Sequence, residues 1–277
     1  MLALAGCKIN IGLQVVNKRA DGYHNIETVM YPVPWYDVVE INEAAQLPNQ
    51  LFSFTQNVAC VISGLAFNGN ITDNLCYKAY QLLAKNYSLP PVVIHLHKCL
   101  PNGAGLGGGS SDGAQTLMLL NKLFALKLSN IELKQYAAKL GSDCRFFIDN
   151  LPALATEKGE ILKPINLALT GMHITLIKPD VSVNTAKAYA QITPGGSANL
   201  FHHINNPINT WQKHISNDFE IYAMKQYPII AEIKTQLYKA GCVYASMSGS
   251  GSCVYGISSK PIEISIENTI QFSSILK

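Results

Sequence analysis

Residues 100–117, LPNGAGLGGGSSDGAQTL, have the composition of a phosphate-binding loop. Glycines let backbone N–H groups approach phosphate oxygens without interference from a Cβ atom. Ser110 and Ser111 add hydroxyl groups at the predicted start of a helix, where the helix dipole favours an anion. A flexible loop followed by a helix cap needs neither this density of glycine nor the paired serines, so we predict a phosphate site.

The same segment also matches the dinucleotide pattern G-x-G-x-x-G at Gly103, Gly105 and Gly108. A dinucleotide-binding fold needs a carboxylate about 20 residues after that pattern, at the end of the next strand. Here that region is predicted to be helical, and its acid, Glu132, forms a capping box with Ser129. The segment also lacks the Gly-Lys-Ser/Thr of a Walker A loop. We therefore interpret the match as incidental and rank an NAD-dependent oxidoreductase last among the alternatives.

Three shorter stretches carry side chains that suit phosphoryl transfer to an alcohol. Asp143, just beyond a predicted helix end, could accept a hydroxyl proton, although taken alone a surface capping acid is its simpler interpretation. Lys8, in a predicted strand, could steady a carboxylate or a phosphate, and taken alone it is a surface lysine. Tyr23 and His24, in a polar loop, offer an aromatic ring and a two-sided hydrogen-bonding group that suit a nucleobase.

A second glycine- and serine-rich stretch, SMSGSGSCVYG at residues 246–256, leads into a predicted strand. Such a stretch is unusual for a core element, and we expect it to form a wall of the same cleft. His95 and His97 alternate along one predicted strand without a third ligand, so we interpret them as ordinary strand residues. We predict no metal ligand among the carboxylate, histidine and cysteine side chains.

Hydrophobic periodicity predicts the elements that position these residues. Extended patterns predict strands at 7–16, 28–41, 52–63, 91–101, 172–179 and 243–257, and extended or hairpin-like segments at 143–148 and 153–165. Helical patterns predict helices at 72–87, 110–126, 129–141, 184–192 and 217–241. Thr72 or Asp73 is expected as the first N-cap and Gly141 as a C-cap. Pro32 and Pro34 place the middle of the second strand at a sheet edge or a bulge.

Composition narrows the class of protein. Of the 277 residues 48% are apolar, which is enough to build a hydrophobic core, and 14% are charged. The order of the predicted elements indicates two α+β lobes, at 1–155 and 156–277. The net charge of +3 suits an anionic small ligand and falls far short of a nucleic-acid-binding surface. The seven cysteines form no C-x-x-C pair, and no apolar run reaches the length of a membrane span. We expect a cytoplasmic protein, or a plastid one if a transit peptide has been removed.

Five stretches stand in the order and spacing of one known family: CKINIGL (7–13), RADGYHNIETV (19–29), LPNGAGLGGGSSDGA (100–114), LGSDCRFFI (140–148) and MSGSGSCVYGI (247–257). On these motifs the chain resembles the GHMP kinase superfamily, and KRADGYH and LGSD narrow the resemblance to kinases of a cytidine-diphosphate-linked alcohol. The resemblance implies a two-lobed α+β fold with a ribosomal-protein-S5-domain-2-like, ATP-binding N-terminal lobe and a ferredoxin-like C-terminal lobe on the substrate side. It also implies transfer of the ATP γ-phosphoryl group, with Mg²⁺, to a tertiary hydroxyl group in the cleft.

The resemblance further assigns roles to individual residues. Asp143 matches the catalytic base, in contact with substrate, and Lys8 the lysine that orients it. The other substrate positions are Asn10, Tyr23, His24, Thr185 and Tyr189, where the two tyrosines flank the cytosine and His24 bonds its edge. The ATP-binding positions are Asn74 and Lys98 near the adenine and, in the phosphate loop, Pro101, Asn102, Gly103, Ala104, Gly105, Leu106, Gly107, Gly108, Gly109, Ser110 and Ser111. Mg²⁺ is expected mainly on the triphosphate, with Ser111 nearby.

Three positions depart from the family pattern. Cys7 stands where alanine is common, Gly113 replaces an alanine in the helix after the phosphate loop, and Arg145 replaces a proline two residues after Asp143. A glycine inside a helix lowers stability by roughly 0.5–1 kcal/mol. Arg145 could shift the backbone that orients the Asp143 side chain.

The alternative functions are another GHMP kinase, for homoserine, mevalonate or a sugar, and a nucleotide-binding protein without catalysis. A monomer or weak homodimer is expected.

Overall fold

A computed structural model of the chain describes residues 1–46, 57–66, 69–195 and 199–277. The chain divides into two compact units. The first combines residues 1–7, 35–102 and 107–150, and the second combines residues 8–34, 103–106 and 151–277. The lobes at 1–155 and 156–277 stay a prediction. The compact units have other bounds, because residues 8–34 and 103–106 group with the C-terminal residues.

The described elements mix helices and sheets, which confirms the predicted α+β class. The strands are β1 (Leu2–Lys18), β2 (His24–Glu43), β3 (Val58–Gly64), β4 (Val92–Lys98), β5 (Ala153–Thr156), β6 (Ile161–Pro164), β7 (His173–Pro179), β8 (Tyr244–Met247), β9 (Val254–Ser258) and β10 (Thr269–Ile275). The α-helices are α1 (Leu75–Ala84), α2 (Gly108–Leu123), α3 (Asn130–Leu140), α4 (Phe146–Asp149), α5 (Thr185–Ala190), α6 (Leu200–Ile204), α7 (Trp211–His214), α8 (Phe219–Gln226) and α9 (Pro228–Lys239). The strand predicted over 52–63 is observed from Val58 onward, and its residues 52–56 lie outside the described residues.

In the first unit, α1 connects two parallel strands. β3 pairs in parallel with β4, and residues 38–43 of β2 pair antiparallel with β4. Neighbouring parallel strands need such a crossover connection. α1 and α2 pack so closely that a Cβ atom at Gly113 would lie 2.9 Å from the Leu75 Cβ atom. The glycine that departs from the family pattern therefore permits this close helix contact.

Two local predictions in the first unit are wrong and one is confirmed. α1 is capped by Asn74, whose Oδ1 accepts from the Cys76 N–H at 2.8 Å, because the residues favoured as caps lie in a 3-10 turn, Ile71–Asp73, before the helix. Residues 143–148, predicted to be extended, form a 3-10 turn and α4, in which Cys144, Phe146, Phe147 and Ile148 are all buried, and a short apolar run does not distinguish a strand from a helical turn. The capping box of Ser129 and Glu132 at α3 is present as predicted. The C-cap Gly141 is extended, with φ 174°, a conformation that does not require glycine.

The second unit contains a four-stranded antiparallel sheet in the order β10–β7–β9–β8. Counted in chain order within this sheet, β10 is the fourth strand and lies beside β7, the first, as expected for the ferredoxin-like lobe. β5 and β6 form the predicted hairpin. The long helix predicted over 217–241 is two helices, because Pro228 lacks the N–H that a continuous helix needs and instead starts α9. Strand β10 was not predicted.

Burial in the second unit centres on the apolar faces of its helices and strands. Leu13, Ile177, Phe219, Ile233 and Val254 belong to this core, and each is at most 4% exposed. Across the described residues, every helix is too short or too polar to cross a bilayer. All seven cysteines are free thiols.

Candidate active site

In the first unit, the glycine-rich segment opens helix α2. Gly107 caps the helix with φ +70°, a left-handed conformation that glycine adopts without strain, and the Ser111 N–H donates to the Gly107 carbonyl at 2.9 Å. The N–H groups of the first turn, Gly108 to Ser110, have no acceptor inside a regular helix. A Cβ atom at Gly109 would meet no atom of the described chain within 4 Å. This turn therefore has the donors and the open approach of an anion site.

Ser111 strengthens this assignment. Its side chain is fully buried, and its Oγ atom has no hydrogen-bond partner among the described residues. A buried hydroxyl without a partner costs about 1–3 kcal/mol, so such a group usually has a functional reason. An oxygen at the first turn of a helix is a suitable ligand for a phosphate-bound Mg²⁺.

The turn that carries Asp143 packs against this helix start within the same unit. Asp143 is half-buried in the 3-10 turn Ser142–Arg145, and the Cys144 N–H donates to the Gly141 carbonyl at 3.2 Å. Burial raises the pKa of the Cys144 thiol to about 12, while a hydrogen bond with the Ser110 side chain lowers it in part. The Ser142–Arg145 turn packs against α2 within this unit.

Arg145 keeps the backbone conformation that a proline would have. Its φ is −61°, inside the range that the pyrrolidine ring imposes. The departure from the family pattern therefore leaves the backbone φ at this position unchanged.

In the second unit, Lys8 is buried and held on two sides. Its Nζ donates to the Asn10 Oδ1 at 2.5 Å and to the Gly105 carbonyl at 2.9 Å. The Asn10 Nδ2 donates in turn to the Thr28 hydroxyl at 3.0 Å. The structure thus brings Lys8, Asn10 and the first part of the glycine segment together. Asn10, predicted to contact substrate, uses both ends of its amide to fix Lys8 to a neighbouring strand.

The second glycine- and serine-rich loop, Ser248–Ser252, packs directly on residues 103–106. The Ser248 hydroxyl donates to the Gly105 carbonyl at 2.8 Å, and the Ser252 N–H donates to the Gly103 carbonyl at 3.3 Å. Gly105 has φ +74°, and a Cβ atom there would lie 1.9 Å from the Ser248 carbonyl oxygen. Only glycine fits at this contact.

Sequence reasoning missed the residue that holds this loop. The Asn217 Nδ2 donates to the Met247 and Gly249 carbonyls, each at 2.8 Å, and its Oδ1 accepts from the Phe219 N–H at 3.0 Å. Asparagine at the start of a predicted helix signals a cap, and the bond from the Phe219 N–H is of that kind, although the N-cap of α8 is Asp218. Its two bonds to the loop, about 30 residues away, have no local signal.

The structure brings together two of the three residues predicted to bind the base, His24 and Tyr189. The His24 and Tyr189 rings stack at 4.8 Å with 13° between their planes, and Phe219 meets Tyr189 edge-on at 4.8 Å. Tyr23 is 62% exposed, with the Lys158 ammonium 4.9 Å above its ring. The Thr185 hydroxyl is hydrogen-bonded to the Ser250 hydroxyl at 2.8 Å. Exposed and stacked rings of this kind suit a flat heterocycle.

The residues predicted near the adenine mainly contact protein. Asn74 is buried, and its side chain makes the capping bond of α1. Asn102, predicted in the phosphate loop, also contacts protein, since its Nδ2 donates to the Ala66 carbonyl at 2.7 Å. Lys98 is buried in ion pairs with Asp37 and Asp112. Within the described ranges, no group of three or more His, Cys, Asp or Glu side chains could hold a metal ion.

Comparison with known proteins agrees with this geometry. Residues 74–154 match the GHMP kinases N-terminal domain and residues 201–268 match the GHMP kinases C-terminal domain. The chain belongs to the GHMP kinase family.

Within that family several similar relatives share one name. The 4-diphosphocytidyl-2-C-methyl-D-erythritol kinase of Bacteroides thetaiotaomicron is 49% identical over 93% of this chain and 92% of the relative. The protein of the same name from Bacteroides fragilis is 45% identical over the full length of both chains. A crystal structure of 4-(cytidine 5'-diphospho)-2C-methyl-D-erythritol kinase matches with TM-score 0.73 and 31% identity, over 93% of this chain and 90% of that one. The resemblance inferred from the motifs is confirmed.

Proposed function

We propose that the chain is an ATP-dependent kinase that phosphorylates the 2-hydroxyl group of 4-diphosphocytidyl-2-C-methyl-D-erythritol in the non-mevalonate route to isoprenoid precursors. The names of its relatives at 40–49% identity support this substrate. The observation that carries the chemistry is local to the first unit. The first-turn N–H groups of α2 have no acceptor inside a regular helix, the Ser111 hydroxyl has no partner among the described residues, and α2 packs against the turn of Asp143.

Phosphoryl transfer depends on positioning and charge neutralisation more than on covalent chemistry. In this proposal the first-turn N–H groups of α2 would bind the phosphate oxygens of ATP, and Mg²⁺ would be carried mainly by the triphosphate, with the Ser111 hydroxyl as the protein oxygen that would hold it. When bound, Mg²⁺ neutralises charge on the transferred phosphate. The buried, unpaired Oγ atom of Ser111 fits this role.

Asp143 accepts the proton of the substrate hydroxyl group. A tertiary alcohol has a pKa far above that of a carboxylate, so the proton moves late, once the oxygen has begun to bond to phosphorus. The expected role of Lys8, to orient Asp143, is tested by combining Lys8→Met with Asp143→Asn. Residues that act as one unit give losses that do not add.

The base-binding proposal rests on the stack of His24 and Tyr189 in the second unit. Aromatic rings provide stacking faces for a cytosine, and the imidazole offers a hydrogen bond to its edge. Replacing Tyr189 by Leu is expected to raise the KM for the cytidine substrate while the KM for ATP stays near the wild-type value.

Cellular context completes the proposal. We propose a cytoplasmic enzyme that works on small molecules, without nucleic acid, as a monomer or weak homodimer. The named relatives are bacterial, and seven free thiols suit a reducing compartment. Sedimentation analysis at several concentrations measures the oligomeric state.

The test is release of ADP from ATP and Mg²⁺ in the presence of the cytidine substrate. We expect turnover by the wild type and a loss of about 100- to 10,000-fold in kcat for Asp143→Asn. Asp149→Asn is the matched control, because Asp149 lies in the adjoining helix and pairs with Lys134. Its activity should stay near wild type.

Three outcomes contradict parts of the proposal. Turnover of homoserine, mevalonate or a sugar instead of the cytidine substrate supports another GHMP kinase. Binding of ATP without turnover of any alcohol supports a nucleotide-binding protein. Near-full activity of Asp143→Asn removes Asp143 as the base even if the substrate is right.

A further inference from the structure

A buried ion cluster lies beneath the glycine segment in the first unit. The Lys98 ammonium, at the end of β4, pairs with Asp37 of β2 and with the Asp112 Oδ2 of α2, the latter at 2.8 Å. All three side chains are 3% exposed or less. The cluster therefore holds one cation and two carboxyl groups away from solvent.

The two carboxyl groups contact opposite ends of the segment. The Asp37 Oδ1 accepts from the N–H groups of Cys99 and Leu100, at 2.6 and 2.7 Å, immediately before Pro101. Asp112 directly follows Ser111 in the first turn of α2. One ammonium group thus links the entry of the segment to the helix start that follows it.

Energetics argue that stability alone does not explain the cluster. Buried ion pairs are often no more stable than apolar side chains of similar volume, because both charges lose their hydration. The Asp112 Oδ1 is also buried without a partner among the described residues. Burial raises the pKa of Asp112 to about 7, whereas for Lys98 the two carboxyl groups outweigh burial and raise the pKa of the ammonium.

We propose that Lys98, Asp37 and Asp112 are positioning residues that fix the phosphate-binding turn at both ends. Lys98 then acts on ATP through this turn and does not touch the nucleotide. The inference rests on the proposed kinase function, in that the turn is taken to bind the phosphates of ATP. It replaces the expectation from the family resemblance that Lys98 contacts ATP near the adenine.

Binding of a non-hydrolysable ATP analogue with Mg²⁺, measured by calorimetry, tests the inference without requiring turnover. We expect Asp37→Asn and Asp112→Asn each to weaken binding by about tenfold or more, because small displacements of a binding group carry large costs. Lys134→Met, which removes a partly exposed ion pair of the same unit, is the control and should bind within about twofold of wild type. Melting curves confirm that each variant is folded at the assay temperature.

A double-mutant cycle distinguishes positioning from direct contact. If Lys98 acts through the cluster, adding Lys98→Met to Asp37→Asn weakens analogue binding no further than the larger single loss. Lys98→Arg, which can still bridge two carboxyl groups, should recover most of the affinity and covers the case in which Lys98→Met does not fold. In steady-state kinetics, the KM for ATP should change and the KM for the cytidine substrate should not.

The opposite results overturn the inference. Additive losses show that Lys98 touches the nucleotide, and unchanged affinity in both aspartate variants shows that the cluster does not position the turn. Failure of the wild type to bind the analogue overturns the inference and the proposed function together. Analogue binding without turnover of the cytidine substrate overturns only the proposed function.

Discussion

Residues 107–111 and residues 248–252 are both built from glycine and serine, yet their polar groups have different partners. In the second stretch, Ser248, Ser250 and Ser252 each form a side-chain hydrogen bond, and Asn217 binds the Gly249 carbonyl. In the first stretch, the N–H groups open a helix and the buried Ser111 hydroxyl has no partner among the described residues. The two stretches show that similar composition can give a loop whose serines are hydrogen-bonded to protein or a helix start with an unpartnered buried hydroxyl.

Their glycines differ in the same way. Gly105, in the part of the glycine segment that packs on the second stretch, is required by the protein itself, because any side chain would strike the Ser248 carbonyl. Gly109, in the helix-opening turn, is not required by any described atom within 4 Å. The open space beside Gly109 fits the proposed approach of a phosphate to the backbone there.

The largest expected effect comes from breaking the packed support. Gly105→Ala should lower the free energy of unfolding by about 3 kcal/mol or more, because it adds a steric overlap to a left-handed backbone. Gly171→Ala is the matched control, since Gly171 also has positive φ but a Cβ atom there meets nothing within 4 Å. It should cost only about 1–2 kcal/mol. Equal losses in urea denaturation would contradict the assigned contact.

Asn217→Ala is expected to destabilise the same support by about 2–3 kcal/mol. The substitution removes the donor to two buried carbonyls, and unsatisfied buried groups are costly. Asn184→Ala, which removes only the cap of α5, should cost about 1 kcal/mol in the same denaturation experiment. A loss for Asn217→Ala no larger than that of the cap would remove Asn217 as the residue that holds the loop.

Gly109→Ala should separate function from stability. Alanine is favoured over glycine in a helix by up to about 1 kcal/mol, so the melting temperature should be unchanged or higher. The KM for ATP should rise by about tenfold, because the added methyl group blocks the approach of a phosphate to the backbone. An unchanged KM would show that the open side of this turn does not face the nucleotide.

A separate expected effect is a pH dependence of stability at the end of the helix-opening turn. The pKa of Asp112 is about 7 in the folded protein, above that of an unfolded aspartate, mainly because of burial. As the pH rises from about 4 to 7 the unfolded chain loses this proton first, so the Asp112 contribution to the free energy of unfolding decreases. Asp112→Asn lacks this contribution, and its stability should fall less over that range. Parallel stability curves for the two proteins would contradict the raised pKa.

Local patterns explain which parts of the fold could be predicted. The capping box of α3 and the hairpin of β5 and β6 are encoded by residues a few positions apart, and both were predicted. The extended assignment of 143–148 was wrong, because burial of a short apolar run does not distinguish a strand from a helical turn. The break before Pro228 was overlooked although proline signals it.

The candidate site shows the same division between local and distant signals. The phosphate-binding turn and the Asp143 turn were recognised from their motifs, and their roles stay predictions. The supports of the site, Asn217 and the cluster of Lys98, Asp37 and Asp112, depend on contacts between residues far apart in the chain. No spacing rule in one sequence reveals such contacts.

The most direct test of the central claim follows the backbone N–H groups of the helix-opening turn during nucleotide binding. In ¹⁵N-labelled protein titrated with a non-hydrolysable ATP analogue and Mg²⁺, the resonances of Gly108, Gly109 and Ser110 should shift. The shifts should reach saturation at the concentration at which calorimetry shows the protein to be fully bound. Fully bound protein in which these three resonances have not moved would contradict the assignment of this turn as the phosphate site.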